Sequence, residues 1–209
     1  MLLIGMYDSP FVRRVAVSMK LLGIPFEHRD WSVGKDFEKI RAHNPLGRVP
    51  TLVMDSGEVL IDSGAILDHL DELAGDRALL PRSGIDRRRA LRLMAIATGA
   101  ADKGVAQLYE RAFRPEEKWH QPWVDRCKVQ VEASLSELHR AVASLEPGTF
   151  LLGPRFTQAD LTVACVFTFL DDAGLVPKEG FGSLRRFTNA IEAMPELVAT
   201  RLAFAPPQA

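Results

Sequence analysis

Hydrophobic positions change rhythm along this chain. Residues 2 to 7 read as an apolar strand, and from Pro10 onward Val12, Val15, Met19 and Leu22 recur at helical spacing until Gly23 offers a C-cap. "IPFEHRDW" reads as a second strand, "GKDFEKIRAHN" as a short polar helix, and "GRVPTLVMDSGEVLID" as two strands around an Asp-Ser-Gly turn. Ile66, Leu67, Leu70 and Leu73 then mark one face of a helix that ends at Gly75. The expected order is βαβαββα, an α/β domain over residues 1–78.

Past "GDRALLPRSGI", which has the turn residues and charges of a linker, strand-like alternation stops and residues 86–209 read as an all-α domain. Val124, Cys127, Val131, Leu135, Leu138, Val142 and Leu145 run in steps of three and four after Pro122, the spacing of a core-facing helical stripe. A further helix opens at "FTQADLTVACVF", where Thr157 and Asp160 can cap each other and Phe156 can staple onto Leu161. That device serves folding, and Asp160 is assigned no chemistry.

Charge narrows the partners. Twenty-six basic residues against 27 acidic ones give a net charge of −1, so no global field recruits nucleic acid or an anionic membrane, and a small-molecule substrate is expected. No apolar run approaches the roughly 20 residues of a membrane span, and "MLLIGMYDSP" lacks a basic start and a cleavage site, which points to a cytoplasmic protein. Cys127 and Cys165 both fall inside helical patterns and are expected as buried free thiols in a reducing compartment. His28, His43, His69, His120 and His139 lack paired ligand spacing, so no metal site is expected, and no phosphate loop or nucleophile elbow is present. "DRRRALRLM" reads as a solvated helix face or a dimer rim, without the interleaved aromatics of a nucleic-acid groove.

The chemistry concentrates at "MYDSPFVRRV". Ser9 followed by Pro10 suits an N-cap and first helical position, because proline has the fixed backbone angle and lacks the donor that would be left over. A hydroxyl there can also donate to an anion that the helix N-terminus favours. Asp62 and Ser63 likewise read first as a helix start, and helix-start amides bind carboxylates.

Four motifs carry a resemblance. "SPFVRRV", "NPLGRVPTL", "LIDSGAILDHL" and "FTQADLTVA" occur in that order and span most of the chain, which is similar to the cytosolic glutathione S-transferase family, in its serine-type, plant-like bacterial branch. The resemblance implies a thioredoxin-like first domain that binds glutathione, a helical domain with a second substrate held between the two, and a homodimer. Glutathione would be a co-substrate, with no permanently bound cofactor. Ser9, with Tyr7 as the alternative, would donate a hydrogen bond to the glutathione thiolate; Asp8 is less suited, since a carboxylate accepts and would repel a thiolate. Lowering a thiol pKa from about 8.5 by about two units takes roughly 2.7 kcal/mol. A hydrogen bond to a charged group supplies about 1.5–3 kcal/mol and a helix terminus roughly 0.3–1 more.

By the same resemblance Val49 ahead of a cis Pro50 would pair through its backbone with the cysteinyl unit, as an added strand. Arg48 or Lys35 would bind the glycyl carboxylate, Ser63 the γ-glutamyl carboxylate and Asp62 the nearby ammonium, with Phe11 beside them. Family members often carry Glu at position 62, and Asp is shorter. Val105 and Tyr109 are candidates for the electrophile pocket. Conjugation to a small hydrophobic electrophile is the expected reaction; peroxide reduction, dehalogenation, isomerisation, or a non-catalytic interaction role are alternatives. Serine at position 9 cannot form a mixed disulfide, so thiol-disulfide exchange there is excluded.

Overall fold

Leu2, Leu3 and Ile4 form β1 (Leu2–Ile4), and Ser9 caps α1 (Pro10–Leu22), which ends at Gly23 in the left-handed conformation at φ 67°. The structure is a computed structural model that describes residues 1–146 and 148–205. Position 147 and positions 206–209 of the expected helical domain lie outside the described residues. β2 (Glu27–Arg29), α2 (Phe37–Arg41), β3 (Thr51–Val53), β4 (Val59–Ile61) and α3 (Ser63–Ala74) follow in the expected βαβαββα order. The sheet runs β2-β1-β3-β4, with β1 parallel to β2 and antiparallel to β3. Leu3 stands opposite His28 on one side and Leu52 on the other.

The strands are shorter than the apolar runs suggested. β1 stops at Ile4 instead of reaching position 7, because Gly5 turns the backbone to φ 129°. β2 keeps only the three residues that β1 can pair. Leu3, Val15, Met19, Leu52, Ile66 and Leu70 belong to one buried cluster that seals α1 and α3 onto the sheet. This seam sets where the N-termini of both helices lie.

The second unit is helical: α4 (Gly84–Ala112), α5 (Gln121–Ala143), α6 (Gln158–Asp172) and α7 (Gly182–Glu192). The stripe from Val124 to Val142 is buried as its spacing predicts, whereas Leu145 falls beyond the end of α5 and is only half-buried. A Cβ on Gly104 of α4 would stand 2.5 Å from Leu170 of α6, so the absent side chain permits that close crossing. Both halves of the Thr157–Asp160 capping box form at the start of α6. Phe156 packs edge-on against Phe150, with ring centroids 5.4 Å apart.

The compact units are Met1–Leu79 and Leu80–Met194, and the segment Pro195–Ala203 clusters with the first unit. That differs from the expected division, which assigned everything after residue 86 to the helical domain. The physical reason is α8 (Pro195–Val198): buried Arg13 of α1 donates from Nη2 to the Leu197 carbonyl at 2.9 Å, and Leu197 is itself buried.

Candidate functional site

At the start of α1, Ser9 has extended backbone angles and its hydroxyl oxygen accepts from Val12 N at 3.5 Å, a long bond that leaves the hydroxyl proton available. The first turn itself carries no acidic residue, so its amides keep the positive end of the helix dipole. Tyr7 is half-buried and stacked on His28, with centroids 4.1 Å apart and planes within 5°. Burial first, and the charge of Asp30 second, push the Tyr7 pKa up, so its phenol stays a neutral donor. His28 Nε2 in turn donates to the Gly5 carbonyl at 2.7 Å.

At the start of α3, Asp62 caps the helix: its Oδ1 accepts from Gly64 N at 2.8 Å. Its backbone has φ 67° and ψ 131°, the one positive φ outside glycine among the described residues. Such strain persists where the surroundings hold it, and it clusters at binding sites. Ser63, buried at the first helical position, accepts from Arg14 Nη2 at 2.6 Å. The Ser63, Gly64 and Ala65 amides of the first turn have no intrahelical acceptor; Asp62 Oδ1 takes that of Gly64, and the ladder begins with Ile66 N on the Asp62 carbonyl at 3.1 Å.

Between these helix starts runs the loop from Asn44 to Pro50. Asn44 is buried and knits it: Nδ2 donates to the Arg48 carbonyl at 2.9 Å and to Thr51 Oγ1 at 3.1 Å, while Oδ1 accepts from Leu46 N at 3.0 Å. Gly47 has φ 59°, and a Cβ there would strike the Phe37 ring at 2.2 Å. The Val49–Pro50 bond is cis. Gly5 lets the loop close on β1, since a Cβ on it would lie 2.7 Å from Val49 Cβ and 2.6 Å from Val12 Cγ2.

The result is a cleft lined by Phe11, Asn44, Leu46, Arg48, Val49, Pro50, Ile61, Asp62 and Ser63. Six of the residues expected to hold glutathione thus meet in one place. Ser9, Tyr7 and Lys35 lie outside that lining, with Lys35 exposed.

The chain matches the family model for the glutathione S-transferase N-terminal domain over residues 3–78 and that for the C-terminal domain over residues 121–192. It is 32% identical to the glutathione S-transferase GstA of Escherichia coli O157:H7, over 75% of this chain and 73% of that one. The chain belongs to the glutathione S-transferase family. It is also 30% identical to YibF of Escherichia coli K12, described as an uncharacterized GST-like protein, over 85% of each. A glutathione transferase family member from Pseudomonas fluorescens Pf-5, solved with bound glutathione, superposes with a TM-score of 0.81 at 31% identity, covering 96% of this chain and 98% of that one.

Within this glutathione S-transferase fold, Val105 is half-buried and Tyr109 exposed on α4, where the Tyr109 ring meets Phe113 edge-on at 4.9 Å. Sequence reading missed Asn44, Leu46 and Ile61 in the cleft, and Arg14 behind it. Asn44 was findable: an Asn ahead of a proline, at a loop that must hold an irregular backbone, is a side chain that bonds its own loop. Among the described residues no group of three or more His, Cys, Asp or Glu side chains is arranged to hold a metal, and no helix is long and apolar enough to cross a membrane. Cys127 and Cys165 are free and buried.

Proposed function

We propose that this protein is a glutathione transferase that holds glutathione in the cleft of its first unit, keeps the sulfur as a thiolate beside Ser9, and directs it at a small hydrophobic electrophile. The observation that carries this reading is the cleft itself: Phe11, Arg48, Val49, Pro50, Asp62 and Ser63 line one surface. Ser63 and the α3 N-terminus take the γ-glutamyl carboxylate, Asp62 the ammonium, Val49 the cysteinyl backbone and Arg48 the glycyl carboxylate. The glutathione bound in the Pseudomonas fluorescens relative supports the choice of ligand. Lys35, exposed and outside the lining, has the weaker claim on the glycyl end.

Ser9 keeps its own proton throughout. It donates to the sulfur, the first turn of α1 adds its dipole, and the thiolate attacks the electrophilic carbon while the leaving group departs from it. Tyr7 is the rival donor, and its stack on His28 holds that ring in a fixed place. Val105 and Tyr109 would contact the electrophile. Free, buried Cys127 and Cys165 fit a reducing, cytoplasmic setting. Exposed Leu73 on α3 and Ile85 and Leu91 on α4 supply apolar surface for a homodimer, which sedimentation would test.

Calorimetric titration with glutathione, followed by assay against aryl halides, enones and organic peroxides, tests the proposal. Saturable binding with conjugate formation supports it. Turnover of peroxides alone would move the reading to a glutathione peroxidase, and absence of glutathione binding would move it to an interaction protein of this fold.

A further inference from the structure

We propose that Arg14 is the positioning residue that aims the Ser63 hydroxyl into the cleft and places a buried positive charge behind it, making the start of α3 selective for a γ-glutamyl carboxylate. The inference rests on the transferase reading above and adds to it a residue outside the cleft lining.

Arg14 is 4% exposed and Ser63 is 2% exposed, with Arg14 Nη2 2.6 Å from Ser63 Oγ. A guanidinium only donates, so the serine oxygen must be the acceptor of this bond. The hydroxyl proton therefore points away from Arg14. Ser63 lines the cleft, so a carboxylate arriving there meets a hydroxyl already polarised by a cation.

Neither partner has freedom to drift. Arg14 leaves α1 one residue before Val15, and Ser63 opens α3 three residues before Ile66; Val15 and Ile66 share the buried core cluster. The Arg14 carbonyl also accepts from Ser18 Oγ at 2.7 Å. Buried charge is costly to maintain by desolvation, and a purely structural tie between two helices could be made by apolar packing. Arg14 has a further interaction besides its bond to Ser63, and a guanidinium held one hydroxyl from the proposed carboxylate site offers an anion there a field that apolar packing does not supply.

Calorimetry with two probes, glutathione and cysteinylglycine, separates this role from a structural one, because the second lacks the γ-glutamyl group. In Arg14→Met, glutathione affinity should fall about tenfold or more, with cysteinylglycine binding and the pKa of the bound thiol unchanged. Arg14→Met combined with Ser63→Ala should bind glutathione no worse than Ser63→Ala alone, and Arg14→Lys should recover part of the loss. Losses that add in the double variant, or that fall equally on cysteinylglycine, would overturn the inference.

Thermal unfolding checks the fold of each variant. If Arg14→Met does not fold, Arg14→Lys carries the test: reduced preference for glutathione over cysteinylglycine supports the role, and full preference overturns it. A wild-type protein that binds no glutathione overturns the transferase reading and this inference together. Tight wild-type binding with Arg14→Met unaffected overturns this inference alone.

Discussion

The starts of α3 and α6 are built from the same residue types and put them to opposite uses. At α6, Asp160 is fully buried and its oxygens accept from Leu151 N at 2.8 Å, Thr157 N at 2.8 Å and Thr157 Oγ1 at 2.7 Å. That helix start is closed, with its polar groups spent on each other. At α3, Asp62 is exposed, accepts from Gly64 N, and has no acidic partner in the first turn to complete a reciprocal box. Ser63 faces the cleft with Arg14 behind it. A helix N-terminus that leaves its capping incomplete can bind an anion; one that completes it stabilises the fold and nothing more.

Breaking the closed end should give the largest effect. Asp160→Ala strands three donors, so unfolding by urea should show a loss of about 3 kcal/mol or more, while protein that remains folded should bind glutathione as before. Closing the open end is the complementary test. Ala65, exposed at the third helical position of α3, becomes the missing acid in Ala65→Glu. The new carboxylate should stabilise the helix by roughly 0.5 kcal/mol and weaken glutathione binding about tenfold through like-charge repulsion.

A subtler change keeps α3 open and alters only its charge. Asp62→Asn retains the cap on Gly64 and the strained backbone, which Asn tolerates. Stability should change by less than about 0.5 kcal/mol, while glutathione binding weakens several-fold and binding of its deaminated analogue does not change.

The smallest effect is a pH dependence. Burial pushes the Asp160 carboxyl above its ordinary value of 3.8, against hydrogen bonds from Thr157 and Leu151 that pull it down. The folded state therefore holds this proton more tightly than the unfolded chain, and the contribution of Asp160 is largest below the unfolded pKa and declines as pH rises through the folded one. Urea titrations across acid pH should find Asp160→Asn more costly at the low end of that window than at neutrality. A cost that grew with pH would reverse the assigned sign.

How far these two helix starts could be read from sequence follows from what each depends on. The capping box is local, four residues long, and "FTQAD" contains all of it. The α3 start was legible in Asp62 and Ser63, and the α1 start in Ser9 and Pro10, because caps depend on residue type at fixed offsets. Arg14 was not legible: "SPFVRRV" marks a helix start through Ser9 and Pro10, and the burial of Arg14 follows from packing α1 against α3, a contact between residues far apart in the chain. Strand ends were overdrawn for a related reason. Three-residue strands such as Leu2–Ile4 are limited by their partners and by Gly5, which periodicity does not register.

The most direct test of the account is the ultraviolet titration of the thiolate in bound glutathione, in wild type, Ser9→Ala and Tyr7→Phe. The account predicts a thiol pKa about two units below that of free glutathione in wild type and Tyr7→Phe, moving most of the way back in Ser9→Ala. A depressed pKa that survives Ser9→Ala and disappears in Tyr7→Phe would contradict it.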